Sequence, residues 1–383
     1  MTGVIPRYLP AVGFADAIRL CLSSNGAAHA PAARFVPDMT AWHAYAFQRG
    51  RHGLAAWLRS LPVQHGGRVL VSAQICPAVR EAIVAADLTP AFIDVDDGYP
   101  SPSPSQFAAA LTGGVAAIIV APMYGYIQDN WTALAAAVGA TPLCVDMAQG
   151  LLLDDRLAPL LARADATLYS LSLGKGLDIG GGLLFLRRVL PGTAGMRSAP
   201  AVHVTVLAAG LAWRSLVASG LYRAAVRFID DAIERDQDEP IAADALTPRD
   251  PSHHLAGWGV RLDAFADDVK RARACARRIG ALPSVRASCS AIDVYCDDEG
   301  ATHLRQVLRL RDPDRRTSVI ATMRRLGIDC APAGEPLPSG SDSRARFPNA
   351  ARFAGDAIRF PFLGRLSDGE HARFERALGA ALA

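Results

Sequence analysis

The chain has 383 residues, 51% of them hydrophobic and 20% charged, with a formal net charge of +3. That length buries a large core and is expected to divide into two domains, and the composition excludes a disordered or fibrous protein. So small a charge, with no basic block, excludes nucleic acid as an expected partner. Cysteine stands at 21, 76, 144, 275, 289, 296 and 330, with no C-x-x-C pair. This argues against a disulfide framework or a zinc site and for a reducing, cytoplasmic compartment. The N-terminus lacks an apolar run ending in a cleavage site, so no signal peptide is expected. Val202 to Val217 is apolar-rich but interrupted by His203 and Arg214, too short and too punctuated for a membrane span.

In chain order, residues 1–40 carry Pro6, Pro10, Pro31 and Pro37 and read as an N-terminal arm. Residues 41–250 read as a large domain and 251–383 as a smaller one. Gly50-Arg51-His52-Gly53 forms a turn followed by Leu54, Trp57 and Leu58 at helical spacing. A helix N-terminus entered through glycine offers free backbone N–H groups to an anion; a solvated helix cap is the other reading. From 68 to 150 short apolar runs alternate with helical ones. Strands are expected at Arg68–Val71, Ala91–Val95 and Val115–Val120, with helices at Pro77–Ala86, Ser105–Leu111 and Asn130–Val138. Such alternation predicts an α/β fold with a parallel sheet covered on both faces. Cys76 follows the first of these strands; a buried cysteine is its plain reading.

Pro142 to Val145 runs apolar into Asp146, as at the C-terminal end of a buried parallel strand, where ligands gather in open α/β sheets. Thr167 to Leu171 then enters a loop, Ser172-Leu173-Gly174-Lys175-Gly176, which Leu183 to Leu186 leaves as another strand. Lysine occurs only at 175 and 270, so arginine carries nearly all the positive charge. Arginine cannot serve as an amine nucleophile, whereas a desolvated lysine can attack a carbonyl. A lysine between two glycines in so lysine-poor a chain points to chemistry, a chance lysine in a turn being the alternative. Asp146 and Lys175 are 29 residues apart, one strand–crossover–strand step. An aldehyde cofactor held as a Schiff base needs a lysine, and its pyridine nitrogen needs a carboxylate.

Beyond the lysine loop, residues 199–235 are apolar with a helical period, an insertion suited to an interface or a lid. Gln237 to Pro251 reads as a linker, and a long helix is expected over Ala264–Ile279. Gly257-Trp258-Gly259-Val260-Arg261 precedes that helix as a loop. In the tail, Ser318–Leu326 reads as a helix stopped by Gly327.

Asp146-Met147-Ala148-Gln149, Ala164-Asp165, Ser170 through Lys175, and Gly180-Gly181-Gly182 together resemble the fold-type I pyridoxal-phosphate enzymes, and among them the DegT/DnrJ/StrS aminotransferase family. Phe347-Pro348-Asn349-Ala350 and Ile358-Arg359-Phe360-Pro361 fit its C-terminal pattern, and the resemblance runs over roughly residues 45–380. It implies a large three-layer domain with a parallel or mixed sheet and a smaller C-terminal α+β domain. It implies pyridoxal 5'-phosphate as cofactor, held by Lys175 as a Schiff base (an internal aldimine), with Asp146 at the ring nitrogen. Gln149 would sit on the ring or its phenolic oxygen; Gly50, Arg51, His52 and Ser170 would hold the phosphate. Cys76 stands where the family often stacks an aromatic ring on the cofactor, which a thiol cannot imitate. Two departures stand out. Gly181 occupies the position of a common Glu, and Ser172-Leu173-Gly174 replaces a common His-Pro-x. Gly257 to Arg261 stands where the family has a loop reaching the neighbouring subunit, with Gly259 in place of Asn.

The resemblance thus implies a cytoplasmic homodimer, binding neither nucleic acid nor membrane, that transfers an amino group to a small polar metabolite. Nucleotide sugars, amino polyols and natural-product intermediates are all open as substrates. The same Lys and Asp would serve a lyase, a decarboxylase or a cyclising enzyme, and a non-catalytic scaffold or sensor is the reading from another class.

Overall fold

The computed structural model describes residues 4–8, 36, 39–150, 155–172, 174–193, 196, 202–219, 221–222, 226, 239–287, 292–294 and 301–383. Most of the N-terminal arm and the second half of the 199–235 insertion lie outside them.

Seven strands form one sheet in the order β1-β7-β6-β5-β4-β2-β3. They are β1 (His43–Phe47), β2 (Arg68–Ser72), β3 (Thr89–Ile93), β4 (Val115–Val120), β5 (Leu143–Asp146), β6 (Ala166–Ser170) and β7 (Gly182–Leu186). The run from β3 to β6 is parallel, whereas β7 and β1 close the other edge antiparallel. Side chains alternate across the sheet because successive strand residues point to opposite faces. Ile118, Val120, Val145, Leu183 and Phe185 enter one buried cluster; Ala117, Ile119, Cys144, Leu184 and Leu186 enter another. Both faces are therefore apolar, and helices cover each. The first face carries α3 (Pro104–Ala110), α4 (Trp131–Ala137) and α5 (Ala158–Arg163) through Phe107, Trp131 and Leu160. The second carries α1 (Gly50–Arg59) and α2 (Pro77–Ala85) through Leu54, Trp57 and Ile83.

The insertion is helical over α6 (Val202–Ala218), as its period predicts. Trp213 Nε1 donates to the backbone oxygen of Tyr8 at 2.7 Å, tying this helix to the N-terminal segment. The next helix, α7 (Ser252–Ala281), starts twelve residues before the expected Ala264, so Gly257 to Arg261 lies inside a helix and not in a loop. Helical glycine costs about 1 kcal/mol relative to alanine. The burial of Leu255, Leu262, Phe265, Val269, Ala272, Ala276 and Ile279, one stripe at spacings of three, four and seven, overrides that cost.

Four strands, β8 (Ile292–Val294), β9 (Val307–Leu310), β10 (Ala331–Pro332) and β11 (Ala357–Arg359), form a second sheet in the order β10-β11-β9-β8. Its Leu308, Leu310 and Ile358, with Phe360 just after β11, pack on α9 (Pro313–Arg325) and α12 (Asp368–Leu382). The short helices α8 (Pro283–Arg286), α10 (Ser341–Arg346) and α11 (Pro348–Asp356) complete this half. α9 begins five residues before the expected start because the Asp312 carboxylate caps it, accepting from Asp314 N at 3.0 Å and Arg315 N at 3.2 Å. β3 begins two residues earlier than expected, through Pro90, which an edge strand tolerates.

Candidate active site

The C-terminal ends of β4, β5 and β6 meet at one rim of the large sheet, where open α/β sheets bind ligands. Asp146 ends β5. It is buried, and its Oδ1 accepts the Ala148 N–H at 2.9 Å. Burial raises its pKa above the ordinary carboxylate range, against the opposing pull of the Ala148 N–H and the Lys175 charge. The two residues that sequence spacing paired are thus close enough to feel each other electrostatically. Lys175 itself is half-buried, with its backbone N–H on Ser172 O at 3.1 Å. Lys270, by contrast, is an exposed lysine paired with Asp267 at 3.0 Å.

The start of α1 faces the end of β6. A Cβ added to Gly50 would lie 3.4 Å from Ser170 Cβ and 3.8 Å from Ser170 Oγ. A Cβ on Gly182 would overlap the Gly50 backbone. Arg49 is the N-cap residue, in extended conformation, and its side chain does not cap the helix. The first N–H groups of α1 and the Ser170 hydroxyl are therefore brought together, a cradle for an anion. Arg51 and His52 are buried within this first turn. Arg51 Nη2 lies 3.9 Å from Glu239.

Two further candidates have other neighbours. The Gln149 side chain accepts the Tyr124 N–H at 2.8 Å and donates to Met123 Sδ at 3.8 Å, so it supports the turn after β4. Cys76, half-buried, is the N-cap of α2, with its backbone oxygen accepting from Val79 N at 2.9 Å. Tyr124 adopts a left-handed φ of 58° while buried, the strained kind of conformation that collects near sites.

Sequence reasoning missed what fixes the lysine loop. Asp178, fully buried, accepts the Gly174 N–H and pairs with Arg365 at 2.8 Å. Arg365 also donates to Gly176 O and reaches Asp268 of α7 at 3.3 Å. From the other side Arg305 Nη2 donates to Gly174 O at 3.1 Å, and a Cβ on Gly174 would strike the Tyr8 ring. The Arg305 guanidinium lies 5.1 Å from the centroid of that ring. Asp178 follows Lys175 by three residues without a sequence signal of its role, and nothing near Arg365 or Tyr8 in sequence marks them. His254 of α7 lies against Gly181, where a Cβ would overlap its ring.

These residues fit pyridoxal 5'-phosphate. A helix N-terminus with a hydroxyl suits its phosphate, a buried carboxylate with a raised pKa suits a protonated ring nitrogen, and a nearby lysine suits its aldehyde. Among the described residues no group of His, Cys, Asp and Glu could hold a metal ion, and no helix is long and apolar enough to cross a membrane.

Residues 32–187 match the DegT/DnrJ/EryC1/StrS aminotransferase family, a span that contains every site residue named from the sequence. The whole chain superimposes on solved aminotransferases. The aminotransferase TlmJ from Streptoalloteichus hindustanus is 19% identical with a TM-score of 0.71, over 99% of each chain. The sugar aminotransferase CalS13 from Micromonospora echinospora is 18% identical with a TM-score of 0.67, over 98% of this chain and 99% of that one. NtdA from Bacillus subtilis, solved with bound cofactor PMP, is 12% identical with a TM-score of 0.68, over 100% of this chain and 86% of that one. No match is found among curated protein sequences. The fold is that of fold-type I aminotransferases, as the sequence resemblance implied.

Proposed function

We propose that the chain is a pyridoxal-phosphate-dependent aminotransferase of a small polar metabolite, with its chemistry centred on Lys175. The observation that carries this reading is the buried Asp146, placed in the field of Lys175 at one sheet rim beside the Gly50–Ser170 cradle. The match of residues 32–187 to an aminotransferase family supports it. When bound, the cofactor supplies an aldehyde for primary amines and a ring that accepts electrons. The protein's own groups then have separate tasks. Lys175 Nζ would hold the cofactor through its aldehyde and would serve as the base for the α-proton of the substrate. Asp146 keeps a proton on the pyridine nitrogen. The N-terminus of α1, with Gly50, Arg51 and His52, and the Ser170 hydroxyl anchor the phosphate. Gln149 would sit on the ring or its phenolic oxygen, and Cys76 would stand at its flank. A homodimer in the cytoplasm, with residues 41–250 as the cofactor-binding domain and 251–383 as the smaller one, completes the reading. Nucleotide sugars, amino polyols and natural-product intermediates are the candidate acceptors.

The test is chemical. The purified protein with cofactor absorbs in the visible, and borohydride followed by peptide mapping places the added mass on the peptide containing Lys175. Lys175→Ala removes both the label and amino transfer; Lys270→Ala changes neither. A label on Lys270, or no label at all, would overturn the reading.

A further inference from the structure

The segment of residues 4–8 runs from the smaller half of the protein to the lysine loop. At one end it pairs with the turn after α9. Ile5 N donates to Gly327 O at 2.8 Å, and Asp329 N donates to Ile5 O at 2.9 Å. Arg7 Nε then meets the Asp329 carboxylate at 2.9 Å. The Tyr222 hydroxyl donates to that same carboxylate and accepts the Arg7 backbone N–H at 3.3 Å. Arg7, Tyr222 and Asp329 are all buried. Burial, and then the Asp329 charge, pushes the Tyr222 pKa up, so its hydroxyl remains a donor. Trp213 of α6 stands edge-on to the Tyr222 ring at 5.2 Å between centroids, and its Nε1 donates to Tyr8 O at 2.7 Å. Two side chains of the insertion thus grip the backbone of Arg7 and Tyr8.

At the other end the Tyr8 ring fills the place where a side chain on Gly174 would stand. A Cβ there would lie 2.9 Å from Tyr8 Cδ1 and 3.5 Å from its Cε1. Gly174 also holds φ at 77°, so glycine is required both for its backbone and for the ring it admits. Arg305 closes the contact, its guanidinium 5.1 Å from the Tyr8 centroid while Nη2 donates to Gly174 O at 3.1 Å. Gly174 immediately precedes Lys175, and Gly176 follows it. Glycine on both sides leaves the backbone of the lysine free to move, so packing from outside must supply the rigidity that the local sequence withholds.

We propose that Tyr8 is a positioning residue for Lys175, its ring pressed on Gly174, and that the insertion holds it there through Trp213 and Tyr222. An amine that must meet an aldehyde carbon gains from being held in place, since a misplacement of about 1 Å can cost about a hundredfold in rate. The assignment rests on the reading of Lys175 given above for its chemistry, but the clamp orders the loop whether or not the amine reacts.

The test separates the two. Hydrogen exchange read by mass spectrometry on cofactor-free protein reports the loop directly, because Asp178 holds the Gly174 N–H and Ser172 O the Lys175 N–H. In Tyr8→Ala the peptide carrying Gly174 and Lys175 exchanges about tenfold faster than in wild type. Tyr8→Phe, which keeps the ring, exchanges as wild type does. Trp213→Phe keeps an aromatic ring beside Tyr222 but loses the bond to Tyr8 O, and its loop also exchanges faster. The double variant Tyr8→Ala/Trp213→Phe is no faster than Tyr8→Ala alone, because Trp213 acts through Tyr8. A second readout mixes each protein with pyridoxal 5'-phosphate in stopped flow. The visible absorbance grows about tenfold more slowly in Tyr8→Ala. Deoxypyridoxine phosphate, the cofactor with a methyl group in place of its aldehyde, binds equally well to wild type and Tyr8→Ala. Loop exchange unchanged in both Tyr8→Ala and Trp213→Phe overturns the clamp. So does additive loosening in the double variant, or binding of deoxypyridoxine phosphate lost along with the rate. If borohydride leaves no label on Lys175 in wild type, the functional reading falls, and exchange in the cofactor-free protein still decides the clamp.

Discussion

Asp146 shows how one buried acid sets a site's electrostatics. Its raised pKa means that the folded protein holds a proton there at a pH where the unfolded chain has released it. Between the unfolded and folded values the native state therefore binds more protons, and stability falls as pH rises through that window. Above it, the buried carboxylate remains a standing cost in the cofactor-free protein. Asp146→Asn should accordingly raise the melting temperature of cofactor-free protein at neutral pH, and the advantage should shrink toward acid pH, as scanning calorimetry across pH would show. With cofactor present the same substitution should retain the Lys175 label and lose most of the proton-transfer rate. Ser170 is proposed to hold the phosphate. Ser170→Ala removes one hydrogen bond to a charged group, worth about 1.5–3 kcal/mol, or roughly one to two decades in cofactor affinity, measurable by equilibrium dialysis. Lys175 and Asp146 were legible in the sequence because lysine is scarce and an acid after an apolar run is conspicuous. Arg365 was not, because lysine takes two of the 40 basic positions and arginine the other 38, and no neighbour in sequence separates one arginine from the rest. What distinguishes it is the buried Asp178 that only the fold brings to it.

Among the elements, the strands of the parallel core could be read from apolar runs because both of their faces are buried. The start of α7 could not, because Gly257 and Gly259 argue locally against a helix that only tertiary burial sustains. The lysine loop was legible as a loop but not as a fastened one, since Asp178 and Arg365 are 187 residues apart. Their ion pair is almost wholly shielded from water. Arg365→Ala would leave the Asp178 charge buried without its ion-pair partner, a loss that costs about 3–5 kcal/mol. Urea unfolding should show a loss of that size, and the double variant Arg365→Ala/Asp178→Ala should recover part of it. Equal stability of wild type and Arg365→Ala would mean that the loop is held by other contacts.

For the whole molecule, sedimentation at micromolar concentration should give a dimer, because the 199–235 insertion is apolar in sequence, a composition suited to an interface, and the resembled family builds its pocket from two subunits. A monomer that retains cofactor would refute this. Tyr8 and Arg365, far apart in sequence, both bear on the five-residue stretch from Gly174 to Asp178 around Lys175. This arrangement orders the steps of synthesis. A chain made as far as β7 already carries every strand of the large sheet, yet the loop between β6 and β7 still lacks the Arg365 that pairs with Asp178. The sheet that carries the lysine loop is therefore complete in the growing chain well before the ion pair that fastens the loop.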